Sequence, residues 1–300
     1  MAKGSLSGVR KGKKGDSVYY RVAASNNKEK QGERQYTGVV TNPKTDAQVE
    51  QRMKMTPAVN FYRALKDDVL DHSFQGIKYG ARSHSEFMKL AMLQPLGTLP
   101  YVTKGENQII PAPYIISKGG MPDVGIYAQE NGRWKSAINT WFTADYDFNK
   151  PFSEFVDDML AANLMLKKGD QLTFIVICDN AGTTSTVVER LILDASKYTT
   201  GATAQEVLWS NRLDINASGF VINPYGDATA VAAGIILSRP LVAKTNGAVS
   251  WARSTSKIYV LPEYMATWQT EEKLNQAIES YKTKGANPSS DWYLNDGTLG

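Results

Sequence analysis

The sequence predicts an α+β fold: an N-terminal basic hairpin or arm and a helical segment packed on a mainly antiparallel β domain, then a C-terminal helix and tail. Three observations carry this. Helix-period apolar patterns gather in residues 42–94 and again after residue 262, while most strand-length apolar runs fall in residues 95–262. The elements are therefore segregated rather than alternating. Leu172–Cys178 and Ala230–Leu237 are apolar runs of strand length. Residues 1–41 are basic and glycine-rich, and Pro43 closes them off from the helices. The chain divides into 1–41 (basic arm or hairpin), 42–94 (helical segment), 95–262 (β-rich core domain) and 263–300 (C-terminal helix and aromatic tail).

In the arm, Gly4, Gly8, Gly12 and Gly15 oppose helix and permit tight turns. Ser17–Val22, rich in β-branched and aromatic side chains, reads as a short strand, residues 24–34 as a loop, and residues 35–40 as a second strand pairing back. Residues 1–35 carry nine Lys or Arg against three acids, a net +6, while the whole chain is +4. Such asymmetry suits a polyanion or an acidic neighbouring surface, and a solvated tail accounts for it equally. The candidate binding residues are Lys3, Arg10, Lys11, Lys13, Lys14 and Arg21, with Tyr19 and Tyr20 among them. Cations neutralise phosphates and aromatic rings stack on bases. Tyrosines that simply pack within a strand give the same pattern.

Residues 45–71 read as one helix, broken or kinked at Thr56-Pro57. Thr45 stands three residues before Gln48, which is capping-box spacing, and Asp46 and Glu50 suit the positive end of the helix. Gln48, Gln51 and Arg52 are candidate partner contacts beside that local role. Ala58, Phe61, Tyr62, Leu65 and Val69 form one helical face. Ser83 and Glu86 repeat the capping-box spacing before Phe87, Leu90 and Ala91. Prolines then punctuate short extended pieces, and Val124–Tyr127 reads as a strand. Pro151 opens a helix with Phe152, Phe155, Val156, Met159, Leu160 and Asn163 on one side, closed by Lys167-Lys168-Gly169-Asp170. Leu172–Cys178 is the expected central strand and Thr186–Leu193 its returning partner across a turn at Asn180–Thr183. Phe220–Ile222, Ala230–Leu237 and Val249–Val260 complete the β part. Arg239, Arg253 and Lys257 suggest a second basic patch, or charges that discourage edge pairing. Thr270 caps a last helix carrying Leu274, Ala277, Ile278 and Tyr281. In the tail, Trp292, Tyr293 and Leu294 are expected to dock on the body or on a neighbouring subunit.

Composition excludes several classes. No apolar run approaches the roughly 20 residues of a membrane helix. Met1–Gly4 opens a polar segment, so no signal peptide is expected. Cys178 is the only cysteine, so no intrachain disulfide forms. Asp67, Asp68 and Asp71 cluster, but a solvated helix end explains them without a divalent ion. His72 and His84 lack the further ligands zinc needs, and no Gly-x-Ser-x-Gly elbow supports a nucleophile. No enzyme, metal, cofactor or small-molecule substrate is expected.

Asn42-Pro43-Lys44-Thr45-Asp46-Ala47-Gln48-Val49-Glu50-Gln51-Arg52, with the glycine-rich basic opening, the aromatic strand and Phe61-Tyr62-Arg63, forms a recurring pattern: Asn-Pro-x-Thr-x-Ala-Gln-x-x-Gln-Arg followed by an aromatic helix. The region Ser85-Glu86-Phe87, Pro111–Ile115 and Gly169–Leu172 extend the likeness. In these features the chain resembles a family of Bacteroidetes bacteria and their phages, including small metagenomic phage-like genomes. The likeness is densest over residues 1–125, and the region from Leu261 onward departs from it. The family carries no assigned activity; the resemblance implies a phage-like gene context. Together with the basic arm, it leads to the expectation of a phage structural or virion-associated protein, in the virion or in host cytoplasm during assembly. Its expected partners are copies of itself, other virion proteins, and DNA or RNA through the arm. A soluble, salt-sensitive nucleic-acid-binding protein is the alternative.

Overall fold

The structure is a computed structural model. It describes residues 3–4, 10–14, 17–22, 30–35, 45–76, 81–138, 146–216, 219–222, 228–242, 247 and 249–282, and before residue 45 the main chain only. The expected tail contacts Trp292, Tyr293 and Leu294 lie outside the described residues, as does most of the strand expected at 35–40. The chain separates into two compact units, residues 1–45 with 283–300, and residues 46–282. The fold is mixed α+β, as the segregated patterns predict.

In the first unit, β1 (Lys3–Gly4), β2 (Arg10–Lys14), β3 (Ser17–Val22) and β4 (Lys30–Gln35) form a four-stranded sheet in sequence order. All three pairings are antiparallel. The returning strand thus starts five residues earlier than expected, and the lysine-rich segment is itself a strand. Strand pairing satisfies its main-chain groups, which outweighs the poor β propensity of Lys and Gly.

The second unit is organised by a five-stranded antiparallel sheet. Its strands are β8 (Gln171–Asn180), β9 (Thr183–Ile192), β12 (Thr229–Val242), β13 (Val249–Arg253) and β15 (Tyr259–Val260), in the order β13-β12-β8-β9 with β15 also on β12. The alternation of β8 splits its side chains between two cores. Leu172, Phe174, Val176 and Cys178 enter one, and Ile175 and Ile177 enter the other. A register shift in β12 between Ala230 and Ala232 turns Val231 and Ala232 to the same side.

On that side lie α1 (Asp46–Leu65), α2 (Ala81–Met92) and the extended segment that ends in β5 (Ile115–Ser117). Phe61, Phe87 and Tyr114 meet there with ring centroids 5.0–6.0 Å apart. β5 pairs with β14 (Ser256–Lys257). The opposite face is covered by α3 (Phe152–Ala162), α4 (Ala204–Ser210) and a second antiparallel sheet. That sheet comprises β6 (Ile126–Glu130), β7 (Arg133–Ser136), β10 (Leu213–Asn216) and β11 (Gly219–Ile222), in the order β10-β11-β7-β6. α5 (Pro262–Trp268) precedes α6 (Glu271–Lys282), whose Ala277 and Tyr281 pack on Val49 and Met53 of α1.

Four local expectations are corrected. α1 runs unbroken through Pro57. Pro57, Ala58 and Phe61 are all buried, and the Tyr281 hydroxyl donates to Thr56 Oγ1 at 2.7 Å, so packing on both sides holds a turn that proline alone would open. The Gln48 half of the Thr45 capping box does not form, because Gln48 Oε1 is buried without a partner. α2 begins at Ala81, and Ser83 is buried and donates to the Asp71 carbonyl instead of capping. α3 ends at Ala162, capped by Asn163, so Lys167–Asp170 is a separate turn with Gly169 at φ +87°. Thr270 does cap α6, its Oγ1 accepting from the Lys273 N–H.

Three loops lock together where β5, β13 and the segment after α1 converge. A Cβ on Gly119 would stand 2.0 Å from the Arg253 carbonyl oxygen, whereas one on Gly120 meets nothing within 4 Å. Gly119→Ala therefore lowers stability by about 1–3 kcal/mol through forced displacement, while Gly120→Ala stays within about 0.5 kcal/mol. Urea unfolding of both variants tests this, and equal midpoints would refute the close approach.

Candidate nucleic-acid interface

The register of the N-terminal sheet sorts its residues by face. Residues paired across an antiparallel ladder share a face, as do residues two apart along a strand. Lys3 pairs with Lys11, Lys13 with Val18, Val18 with Arg34, Tyr20 with Gly32, and Val22 with Lys30. One face therefore collects Lys3, Lys11, Lys13, Lys30 and Arg34 around Tyr20, and no acid among the described residues shares it. The other face collects Arg10, Lys14 and Arg21 with Tyr19, and also Glu33, which pairs with Tyr19. All eight arm candidates thus belong to one sheet, divided between its two faces. Lys30 and Arg34 belong to the more basic face and were not among those candidates. Pairing register reveals their place, and it is absent from local sequence.

The other candidates sit apart from this sheet in chain organisation. The boundary between the two units falls after Thr45, inside the Asn42–Arg52 pattern. Gln51 is exposed near the start of α1, and Gln48 and Arg52 are half-buried. Between them, Val49 is buried against α6, and Lys54 is buried and paired with Glu50 at 2.8 Å. These turns hold α1 and α6 together, with Asp46 bonded to Lys282 at 3.1 Å.

Other chemistry-bearing residues of the second unit have structural partners. Asp71 accepts from the Tyr62 hydroxyl, and burial, then that bond, push the phenol above its usual range. His84 packs edge-on against Tyr62 at 4.8 Å. Ser73, next to His72, is buried and donates to the Val69 carbonyl at 2.5 Å, so its hydroxyl is not aimed at the imidazole. Cys178 is fully buried and its thiol is pushed up to about 11 by desolvation. Among the described residues no group of three or more His, Cys, Asp and Glu side chains could hold a metal ion. No helix among them is long and apolar enough to cross a membrane. A cavity of about 420 Å³ between β15 and α5 is lined chiefly by apolar groups, Pro113, Ile258, Val260, Pro262 and Met265 among them.

The second basic patch does not form as one surface. Arg239 is tied to Asp170 by two bonds of 2.7 Å, and that carboxylate is fully buried. Lys257 lines the apolar cavity, and Arg253 lines a different one. Partners on strands and turns far away in sequence divide the three cations among separate environments.

Comparison with protein-family models, curated proteins and solved structures gives no match.

Asp170→Asn leaves Arg239 short of its counter-charge and costs about 3 kcal/mol, the low end for a broken buried pair, because the Arg239 side chain keeps 22% of its exposure. Chemical denaturation measures it; an unchanged midpoint would show the pair to be idle.

Proposed function

We propose that this protein is a virion-associated assembly protein of a phage, and that its N-terminal sheet holds nucleic acid by the phosphate backbone. The observation that carries the nucleic-acid part is the collection of Lys3, Lys11, Lys13, Lys30 and Arg34 on one sheet face, unopposed by any described acid there. Five cations on neighbouring strands spaced about 4.7–4.9 Å apart match a polyanion better than a single charged side chain. Tyr20 in their midst adds a ring on which a base can stack. The phage context is supported by the resemblance carried by Asn42–Arg52 and the arm. Binding rather than catalysis is favoured because, although Asp68, His72 and Ser73 line one cavity, the Ser73 hydroxyl donates to the Val69 carbonyl, His84 packs on Tyr62 and Cys178 is buried.

Backbone recognition has a quantitative signature. Each phosphate neutralised steepens the dependence of log affinity on log salt by about 0.7–0.9. In fluorescence anisotropy with labelled single-stranded and duplex oligonucleotides, the full chain binds both, and affinity falls steeply between about 50 and 200 mM salt. The triple variant Lys11→Ala, Lys13→Ala, Arg34→Ala flattens the slope by about 2; the opposite-face triple Arg10→Ala, Lys14→Ala, Arg21→Ala flattens it less. Salt-insensitive binding, or equal effects of the two triples, would refute the face assignment. Native mass determination with and without nuclease tests the assembly role. A large regular oligomer is expected, and a strict monomer at high concentration overturns it.

A further inference from the structure

A small cavity opens on the central sheet, on the face that packs against α1. The ladder places Arg190 of β9 opposite Thr173 of β8, Thr173 opposite Ile236 of β12, Gln171 opposite Ser238, and Ser238 opposite Arg253 of β13. These residues share one face, so the two arginines reach toward each other from opposite sides of a floor made by β8 and β12. The segment after α1, Asp68 to Ser73, forms the wall, and Trp251 stands at the rim with 39% of its surface exposed. The cavity, open to solvent on one side, is about 180 Å³. That is well above the roughly 10–15 Å³ one water needs and below the roughly 300 Å³ where sites for whole small molecules begin. It has the size of the charged end of a ligand.

The two guanidiniums in this cavity have no close ion-pair partner: Glu189 only feels the charge of Arg190 from a distance, and the Trp251 ring lies 5.8 Å from the Arg253 guanidinium. Among the described residues no carboxylate lies within 4 Å of either guanidinium. Arg190 donates to the main-chain oxygen of Asp68, and Arg253 donates to Ser238 Oγ at 2.5 Å. Both acceptors are neutral. Burial, and then the charge of Arg190, hold the Arg253 guanidinium below its usual range. A half-buried arginine beside a second arginine is unfavourable unless something anionic enters.

The site is also held rigidly. The Arg253 N–H donates to Gln75 Oε1 at 3.2 Å, and its carbonyl accepts from the Met121 N–H at 3.0 Å. Ser117 Oγ, buried, bridges the Ser73 and Ser254 carbonyls at 2.9 and 2.7 Å. The wall, the strand bearing Arg253 and the neighbouring loop therefore move as one piece.

We infer that this cavity binds the phosphate group of a phosphomonoester, with Arg190 and Arg253 as its cationic jaws and Trp251 beside the rest of the ligand. Paired guanidiniums offer forked donors that match a tetrahedral oxyanion, which a single lysine would not. The phosphate belongs to a free small phosphomonoester or to the 5′ end of a nucleic-acid strand.

Thermal unfolding of the full chain is followed in increasing inorganic phosphate, with sodium chloride at matched ionic strength as control. Wild type gains stability saturably with phosphate, as a ligand of the folded state must give. In Arg253→Gln and, separately, Arg190→Gln the apparent affinity falls at least tenfold. Arg190 is exposed, so its variant keeps the test open if the other fails to fold. Equal stabilisation by chloride, no stabilisation of wild type, or undiminished affinity in Arg190→Gln overturns the inference. To identify the source, glycerol phosphate and a 5′-phosphorylated trinucleotide are compared in a chain carrying the Lys11, Lys13 and Arg34 alanines, which separates this site from the N-terminal sheet. Tighter binding of one than the other, lost with Arg190→Gln, assigns the phosphate to that source; no dependence of either on Arg190 counts against the site.

Discussion

Everything in the second unit follows from one strand that has no wet side. From Leu172 to Cys178 every residue of β8 is buried, with even and odd positions feeding different cores. Each large apolar side chain so buried is worth about 1.5–3 kcal/mol, and neither half can be left uncovered. A strand like this demands a neighbour on each edge and a layer on each face. β9 and β12 supply the edges. Helices α1 and α2 with the Pro-punctuated segment supply one face, and α3, α4 and the second sheet supply the other. The bulge at Val231 is a consequence: it lets β12 add two consecutive side chains to the helical side while the rest of the strand keeps its alternation. Gly234 belongs to the same constraint, since a Cβ there would stand 2.9 Å from the tips of Ile116 and Ile258.

The same sheet treats two neighbouring arginines in opposite ways. Arg239 and Arg253 lie on adjacent strands, and their main chains are separated by a single ladder step. Arg239 meets a fully buried carboxylate held in turn by the Lys167 N–H at 2.8 Å. That arrangement closes the turn after α3 onto β12. Arg253 receives a hydroxyl, the face of the Trp251 ring at 5.8 Å and a second cation. Desolvating a charge costs several kcal/mol unless a partner returns it, so the cost is fully offset for the first arginine, while the second has only neutral partners. A half-buried arginine without a close carboxylate is where the proposed ligand would supply the counter-charge.

Much of the framework was legible because local signals and tertiary demand agree. The apolar run of β8, the face Ala58–Leu65, the Phe152–Met159 stripe and the Thr270 cap all stand where their patterns place them. The first helix, expected to residue 71, ends at Leu65 and leaves Val69 outside it. Some elements were legible and passed over. Asn131-Gly132, both with positive φ, is the two-residue hairpin joining β6 and β7, and Thr203 with Glu206 makes the capping box of α4. Others have no local signature. Pro57 reads as a break until its burial and the neighbouring Thr56–Tyr281 bond to α6 are known, and Ser83 reads as a cap until it is seen donating to the Asp71 main-chain carbonyl. The candidate interface divides likewise. The excess of Lys and Arg was plain from composition, but which of them share a face depends on register. The arginine cavity was not legible at all, because Ser73, Arg190 and Arg253 lie far apart in sequence and are brought together only by strand order.

The two proposed anion sites obey different physics, and this makes them separable in one molecule. On the N-terminal sheet the proposed attraction is between several cations that share a face and a polyelectrolyte. Its strength comes largely from released counterions, so it collapses as salt rises. In the cavity between β9 and β13 the attraction acts over a few ångströms in partly desolvated surroundings, where mobile ions screen poorly. Raising the salt should therefore strip nucleic acid from the sheet while a phosphate monoester stays in the cavity. If the monoester is a strand end, a 5′-phosphorylated strand stays bound at salt that releases its 5′-hydroxyl counterpart. If it is a free metabolite, occupancy of the cavity is indifferent to the nucleic acid held by the other unit. A phosphate-binding curve recorded above the salt concentration that releases oligonucleotide distinguishes these cases, because only the first lets an oligonucleotide with a 5′-phosphate compete there while its 5′-hydroxyl counterpart does not.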